Sequence, residues 1–268
     1  MNSPEELKHI VRKKYAEVAE TGNSCCDTVC CSDNSATMSE NYSSLSGYFA
    51  EADLALGCGL PTQYALIKKG DIIVDLGSGA GNDCFIARNE TGSEGKVIGI
   101  DMTIQMIERA QKNTEKLGYT NVEFRLGEIE DIPVRDNYAD VVVSNCVLNL
   151  VPDKQKAYSE IFRILKPGGH FSISDIVQSG TLPPWLAETA DAFAGCLSGA
   201  MDLNQYMEAI ETTGFVNVKV QKERKLNLSA YTNGEASTDQ SDGNLSSITV
   251  YAEKPKSSCC NKDTCCKS

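Results

Sequence analysis

Histidine is nearly absent from this chain of 268 residues, which has only His9 and His170. Most catalytic zinc sites use histidine ligands, and Ser-His-Asp hydrolysis requires an imidazole base. His9 falls in a helical surface pattern, and His170 follows a Gly-Gly turn at the start of a strand. We therefore expect both to be structural or solvated, and their scarcity argues against both of these kinds of enzyme.

Positive charge and long apolar runs are also scarce. The chain has 25 basic and 37 acidic residues, a formal net charge of −12. Such an excess of negative charge repels nucleic acids and anionic membranes. No apolar run approaches the ~20 residues of a membrane span, and the opening stretch MNSPEELKHIVRKKYAEVAE lacks the apolar core of a secretory signal. We expect a soluble, monomeric, cytoplasmic protein that binds neither nucleic acid nor membrane.

Cysteine, in contrast, is abundant, and its 12 positions are unevenly distributed. A secreted disulfide scaffold would spread its cysteines through a short chain, whereas cysteines of a reducing compartment are more often metal-binding or catalytic. The central part of the chain holds Cys58, Cys84, Cys146 and Cys196. The remaining cysteines form two clusters near the ends: Cys25, Cys26, Cys30, Cys31, Cys259, Cys260, Cys265 and Cys266.

Strand patterns alternate with helix patterns through the middle of the chain. The predicted strands are 71–77, 96–101, 122–127, 139–145 and 170–177, and the predicted helices between them are 81–90, 103–118 and 152–165. This order predicts an α/β fold with a Rossmann-like, mostly parallel sheet and helices on both faces. Residues 183–213 are mostly helical in pattern, and two final strands, 215–223 and 246–254, are expected to pair with one antiparallel strand at the sheet edge.

The stretch VDLGSGAGND follows the first of these strands and opens a helix. Gly77, Gly79 and Gly81 allow a tight turn and close approach of a ligand to the backbone. A dinucleotide fingerprint would require glycine where the chain has Asn82, so a pyrophosphate cradle is disfavoured. Asp101 ends the second strand, where a carboxylate accepts hydrogen bonds from ribose hydroxyls. The motif therefore predicts a nucleoside site at the carboxyl edge of the sheet.

Residues of about 69–254 resemble the class I S-adenosylmethionine-dependent methyltransferases, through DLGSGAG, IGIDM, GEIEDIP and LKPGG. The resemblance implies that Asp101 binds the ribose, that Met102 packs on the adenine, and that Asn145 flanks the methyl group. The implied cofactor-binding residues are Asp75, Gly77, Gly79, Gly81, Asp101, Met102, Ile129, Glu130 and Asn145.

Within that superfamily, LALGCGLP, SNCVLNLVPDK and GCLSGA closely resemble motifs of the arsenite methyltransferases, over roughly residues 11–203. The resemblance implies that Cys58, Cys146 and Cys196 hold trivalent arsenic as a trithiolate. Arsenic(III) is a soft centre that prefers thiolate ligands. Its lone pair is the nucleophile, so no general base is needed and the shortage of histidine is no obstacle.

The family pattern also implies an N-terminal cysteine that forms a disulfide with Cys58 during turnover, and a thiol reductant of the thioredoxin or glutathione type that restores it. Spacing leaves Cys30 and Cys31 as equal candidates. The chain departs from the family at Leu56, where many members have tyrosine, which leaves the cofactor affinity open. Cys84 is expected to be structural. Candidate accessory metalloid ligands are Cys25, Cys26, Cys259, Cys260, Cys265 and Cys266, although a dispensable tail explains the C-terminal four equally well.

The leading prediction is methyl transfer to arsenite, or to its thiol conjugates, giving methylated arsenicals for detoxification. Two alternatives stay open: a methyltransferase for a small organic acceptor, and a non-catalytic protein that binds arsenic or heavy metals. The predicted organisation is an N-terminal helix and cysteine loop capping the site (1–60), a cofactor-binding α/β domain (61–177), a helical substrate-site insertion (178–213), C-terminal strands (214–255) and a cysteine-rich tail (256–268).

Overall fold

The computed structural model describes residues 3–21, 39–180, 199–226 and 243–256. Its helices are α1 (Pro4–Thr21), α2 (Pro61–Tyr64), α3 (Asn82–Thr91), α4 (Ile104–Leu117), α5 (Lys154–Ile164) and α6 (Leu203–Thr212). Its strands are β1 (Ile72–Leu76), β2 (Lys96–Asp101), β3 (Val122–Leu126), β4 (Ala139–Asn145), β5 (Leu165–Ser179), β6 (Met201–Asp202), β7 (Val216–Lys225) and β8 (Asn244–Glu253). No helix in these ranges is long and apolar enough to cross a bilayer.

All eight strands belong to one sheet, ordered β3-β2-β1-β4-β5-β8-β7, with β6 paired to β5. The pairs among β1 to β6 are parallel, whereas β8 runs antiparallel to both β5 and β7. The predicted Rossmann-like, mostly parallel fold class is therefore confirmed.

The antiparallel strand does not lie at the sheet edge, where the sequence pattern predicted it. It is β8, one strand in from the edge, and β7 forms the edge itself. The reason is burial: nearly all of β8 is buried, whereas the lysine-rich β7 is largely exposed. Charged side chains suit an edge strand because they discourage pairing with other chains.

Element boundaries follow local chemistry. Helix α4 places Met106, Ile107 and Ala110 on its buried face and ends at Gly118, which has a φ of +65°. Strand β5 begins earlier than expected, because it includes the Lys-Pro-Gly-Gly segment. The pairing of this part of β5 with β4 has an irregular register. Of the predicted helical region 183–213, α6 is observed, and residues 181–198 lie outside the described ranges.

The two faces of the sheet carry separate apolar clusters. Neighbouring residues of β1 point to opposite faces, so Ile73 packs with Phe85 of α3, whereas Val74 belongs to the cluster of Tyr158 in α5 and Tyr206 in α6. This two-sided burial is what a parallel sheet between helices requires. It also leaves the strand ends as the part of the sheet open to a ligand.

The parallel register aligns those ends. Leu76 pairs with Ile100 on one side and with Ser144 on the other, and Asp101 pairs with Leu126. The loops that follow β1 to β4 therefore meet at one edge. The strand order reverses between β1 and β4, which is the point where open α/β sheets bind ligands.

One acid is buried inside the sheet. Asp175 of β5 is fully buried, and its Oδ1 accepts the Ile176 N–H at 3.1 Å, while Oδ2 has no hydrogen-bond partner among the described residues. Burial raises the pKa of Asp175 to about 7, against the opposing charge of Lys154 and two backbone hydrogen bonds. Ionisation of this carboxyl therefore costs folding free energy.

The substitution Asp175→Asn should remove that cost. The pKa of an unfolded aspartate is about 4, so the unfolded chain loses its proton first as the pH rises. The wild type then loses stability between about pH 4 and pH 7, and the variant, which has no carboxyl at this position, does not. In urea unfolding, the free energy of unfolding of the variant minus that of the wild type should increase by about 1–3 kcal/mol between pH 5 and pH 8. An equal difference at both pH values would contradict this origin.

Candidate active site

A cleft with about 1100 Å³ of empty space, part of it open to solvent, lies at the carboxyl edge of the sheet. It is bounded by the loops after β1 to β4, by the segment that precedes α2, and by one face of α1. Of the nine residues expected to bind the cofactor, the structure brings together all but Gly81 as lining residues: Asp75, Gly77, Gly79, Asp101, Met102, Ile129, Glu130 and Asn145.

The three glycines of the turn after β1 serve different purposes. Gly77 has a φ of +69°, and a Cβ there would lie 2.3 Å from the Val147 side chain. Gly79 has a φ of +51°, and a Cβ there would meet no described atom within 4 Å, so the turn is open to the cleft at this point. A Cβ on Gly81 would lie within 2.9 Å of the rings of Phe85 and Phe124. Gly81 thus permits packing behind the turn and does not line the cleft.

Asp101 is held in place by backbone amides. Its Oδ2 accepts the Gly79 N–H at 3.0 Å, and its Oδ1 accepts the Thr103 N–H at 2.8 Å. The Thr103 side chain and the Met102 amide also make hydrogen bonds to this carboxyl group. The surrounding amides therefore fix the carboxyl group at the cleft wall, where we expect the ribose.

The cleft also contains polar groups and charge that require a ligand. Ser78 Oγ and Asn82 Oδ1 line it, are buried, and have no hydrogen-bond partner within the described chain. Burial raises the pKa of Asp83 to about 6, against hydrogen bonds from Asn145 and Tyr42. Burial and the charge of Asp83 together raise the pKa of Asp75. This combination of open space, unpaired acceptors and neighbouring acids suits a cationic ligand that carries hydroxyl and amino groups. S-adenosylmethionine is such a ligand.

Helix α1 covers one side of the cleft. Lys8 Nζ lies 2.6 Å from Glu130 Oε2 and 2.7 Å from Glu128 Oε2, and Val11 and Tyr15 line the cleft one and two turns further along. Burial lowers the pKa of Lys8, but the hydrogen bonds and charges of Glu128 and Glu130 outweigh that effect and raise it. The lysine is therefore cationic, and it ties the N-terminal helix to the loop after β3.

Two of the cysteines expected to bind arsenic share one buried cluster. Cys58 and Cys146 are both buried and pack with Val11, Leu150, Ile176, Ala200 and Leu245. Cys146 also lines the cleft. Its backbone has a φ of +60°, and its N–H donates to Ser174 O at 2.7 Å.

The third expected ligand, Cys196, lies outside the described residues. The chain that follows it re-enters beside the Cys146 loop, because Gly199 packs so closely that a Cβ there would lie 2.1 Å from Asn149 O. The terminal cysteines also lie outside the described ranges: Cys25, Cys26, Cys30, Cys31, Cys259, Cys260, Cys265 and Cys266.

Cys84 has a different environment. It is fully buried among the apolar side chains between α3, α4 and the sheet, and its Sγ donates to Asp75 Oδ2 at 3.1 Å. Burial, followed by the charge of Asp75, raises the pKa of this thiol well above its usual value. A thiol held in its protonated form is a poor metalloid ligand, as expected for a structural cysteine.

Comparison with known proteins shows which family this fold belongs to. Residues 67–224 match the family model described as a methyltransferase domain. The chain is 42% identical to the arsenite methyltransferase of Halobacterium salinarum over 81% of this chain and 59% of that protein. The crystal structure of an arsenic(III) S-adenosylmethionine methyltransferase from Chlamydomonas reinhardtii matches at 32% identity with a TM-score of 0.63, covering 74% of this chain and 68% of that one. The chain belongs to the arsenite methyltransferase family.

A more distant likeness shows the fold alone. It is to a phosphoethanolamine N-methyltransferase of Haemonchus contortus solved with S-adenosyl-L-methionine, which has a TM-score of 0.60, 21% identity, and coverage of 75% of this chain and 54% of that one. The chain spans about half the length of the curated arsenite methyltransferases that it matches.

Sequence reasoning missed three residues of this site: Lys8, Tyr42 and Asp83. The first had a detectable signal, because Lys8, Val11 and Tyr15 fall on one face of a helix. Asp83 lies in the first turn of α3, where an acid is ordinarily read as favourable to the helix dipole. Tyr42 has no periodic signal, because its partners are distant in the sequence.

Removal of the Asp101 carboxylate tests the cofactor site. We expect Asp101→Ala to weaken the binding of S-adenosylmethionine by at least about tenfold, the cost of losing hydrogen bonds to a charged group. Asp136→Ala, which removes an exposed acid that does not line the cleft, is the control and should bind normally. Isothermal titration calorimetry gives both affinities, and normal binding by a folded Asp101→Ala protein would exclude this role.

Proposed function

We propose that this protein transfers a methyl group from S-adenosylmethionine to trivalent arsenic bound as a trithiolate by Cys58, Cys146 and Cys196, and that the methylated product serves detoxification. The observation that carries the proposal is the meeting of Cys58 and Cys146 in one buried cluster, with Cys146 also lining the cofactor cleft. Family membership supports the same chemistry.

The binding of arsenite to three thiols needs no general base. Arsenite carries three hydroxyl groups, and each is exchanged for a cysteine sulfur as the thiol proton leaves with the hydroxyl in water. The apolar side chains around Cys58 and Cys146 exclude water, which disfavours the reverse exchange. Three thiolates leave the lone pair of the arsenic free.

The protein then has mainly to align the reactants. Bound S-adenosylmethionine supplies an electrophilic methyl group. The arsenic lone pair forms the new bond to carbon as the bond from carbon to sulfur breaks. Asp101 fixes the cofactor by its ribose, the buried acids Asp75 and Asp83 favour a cation in the cleft, and Cys146 holds the arsenic at the cleft wall.

No histidine takes part. Among the described residues, none of those that line the cleft is a histidine. His170 lies elsewhere, with its Nε2 2.6 Å from Ala65 O and its ring against Tyr251. This agrees with a nucleophile that already has its lone pair.

Turnover requires a second chemical step. Methylation raises arsenic to its pentavalent state and leaves it with one positive charge. A free thiol then attacks one arsenic-bound sulfur: the bond from arsenic to that sulfur breaks and returns two electrons to arsenic, the two sulfurs form a disulfide, and the single proton of the free thiol is released. We assign the two sulfurs to Cys58 and to Cys30 or Cys31. A reductant of the thioredoxin or glutathione type then restores both thiols. A reducing compartment is consistent with the cysteine content, so we place the protein in the cytoplasm as a monomer.

Incubation with arsenite, a thiol and methyl-labelled S-adenosylmethionine tests the proposal. Label in methylated arsenicals, separated by chromatography and counted, is the expected result. Label that enters only small organic acceptors would replace the proposal with an organic methyltransferase. Tight arsenite binding without transfer would indicate a binding protein.

The variant Cys146→Ser should keep its affinity for S-adenosylmethionine and lose transfer to arsenite by at least about a hundredfold, because an alcohol oxygen is a poor ligand for soft arsenic and misplacement alone has a cost of this size. Cys84→Ser is the matched control, since the same atom changes away from the arsenic site. It should retain arsenite binding. Wild-type transfer rates in Cys146→Ser would exclude Cys146 as a ligand.

A further inference from the structure

One side chain of the sheet, Asn145, makes three hydrogen bonds to the loop that carries Cys58. Asn145 Oδ1 accepts the N–H groups of both Cys58 and Gly59, at 3.0 and 3.2 Å, and its Nδ2 donates to Gly59 O at 2.8 Å. One amide thus makes three hydrogen bonds to two consecutive residues of the loop. Cys146 is the next residue in the chain, so the same side chain links the backbones of both thiols.

The Asn145 amide is fixed in turn by Tyr42 and Asp83. Besides Gly59 O, Tyr42 Oη and, at 3.2 Å, Asp83 Oδ2 lie within hydrogen-bond distance of its Nδ2, so its two protons are shared among three acceptors. The Tyr42 hydroxyl lies 2.9 Å from Asp83 Oδ2 and 2.9 Å from Gly59 O. Tyr42 and Asp83 are both buried. A buried network with its partners satisfied is rigid and specifies one arrangement.

Glycine on both sides of Cys58 makes this approach possible. A Cβ on Gly57 would lie 2.5 Å from Asn145 Nδ2, and a Cβ on Gly59 would lie 2.5 Å from Ser174 Oγ. Ser174 is also the residue whose carbonyl accepts the Cys146 N–H. The Gly-Cys-Gly loop therefore fits closely against the ends of β4 and β5.

The far side of the Cys58 loop is tied to the last strand. Ser247 Oγ donates to Cys58 O at 2.6 Å. The amide and carbonyl of Cys58 are thus both held by side chains of the sheet, Asn145 on β4 and Ser247 on β8. The orientation of this residue is set by the sheet.

From this geometry we infer that Asn145, locked by Tyr42 and Asp83, is a positioning residue that sets the separation of the Cys58 and Cys146 sulfurs and thereby maintains three-sulfur coordination of arsenic(III). The inference rests on the proposed function. It assigns Asn145 a role different from the expected one beside the methyl group, because its amide oxygen and nitrogen are engaged by the Cys58 loop, Tyr42 and Asp83.

The test uses arsenite-loaded full-length protein and three measurements: the number of sulfur atoms around arsenic by X-ray absorption, the affinity for arsenite, and the affinity for S-adenosylmethionine. Tyr42→Phe removes one hydroxyl and leaves the ring in place. We expect arsenite affinity to fall about tenfold, the effect of one buried hydrogen bond, and the mean sulfur count to fall below three. Tyr42 also lines the cleft, so affinity for S-adenosylmethionine is measured alongside and should fall by a smaller factor than affinity for arsenite.

Two further comparisons separate positioning from a general loss of structure. Asp83→Asn keeps one acceptor oxygen and should lose less arsenite affinity than Asp83→Ala. Tyr119→Phe removes a hydroxyl from a tyrosine that stacks on Arg88 outside the cleft lining, and should match the wild type in all three measurements.

The outcomes distinguish the two proposals. A wild-type protein that binds no arsenic through sulfur would overturn the proposed function. Three-sulfur coordination and wild-type arsenite affinity in Tyr42→Phe, with normal arsenic binding in the wild type, would overturn the positioning role alone. Asn145→Ala is expected to lose three-sulfur coordination, and if that variant does not fold, Tyr42→Phe decides by itself.

Discussion

The pairing of β1 with β4 is the contact on which the site depends. Leu76 is in register with Ser144, and the Ser144 hydroxyl donates to Leu76 O at 2.9 Å. Because both strands run in the same direction, the glycine turn after β1 and the Cys146 loop after β4 emerge side by side. A shift of one residue would turn the side chains of either strand to the opposite face. The glycine turn and the Cys146 loop, to which we assign cofactor and metalloid binding, therefore depend on one alignment within the sheet.

Around this alignment the protein has two kinds of environment. One half of the cleft is acidic and hydrogen-bonding, with Asp75, Asp83 and Asp101 around the glycine turn. The wall at Cys146 is apolar, and Cys58 lies in the buried apolar cluster behind it. Under the proposed function, the first environment suits a sulfonium donor and the second a soft, neutral arsenic trithiolate. Asp83 and Asn145 lie where the two meet, since each contacts the cofactor cleft and each is hydrogen-bonded within the network that holds the Cys58 loop.

Much of this could be predicted from local patterns. The period of the apolar residues marked the strands and helices, and the glycine turn and Asp101 lay where α/β nucleotide sites place them. The insertion of β8 between β5 and β7 could not be predicted, because it depends on which of the two last strands buries more surface. The network of Tyr42, Asp83 and Asn145 could not be predicted either. Hydrogen bonds between segments far apart in the chain leave no periodic trace, and their partners become neighbours only in the folded state.

The backbone conformation at Cys146 is unfavourable for a residue with a side chain. A φ of +60° places this residue in the left-handed region, which costs an ordinary L-residue about 1–2 kcal/mol and glycine almost nothing. Glycine would therefore relax the chain where the thiol is needed. The protein therefore carries this backbone cost where β4 ends, at the residue whose thiol lines the cleft.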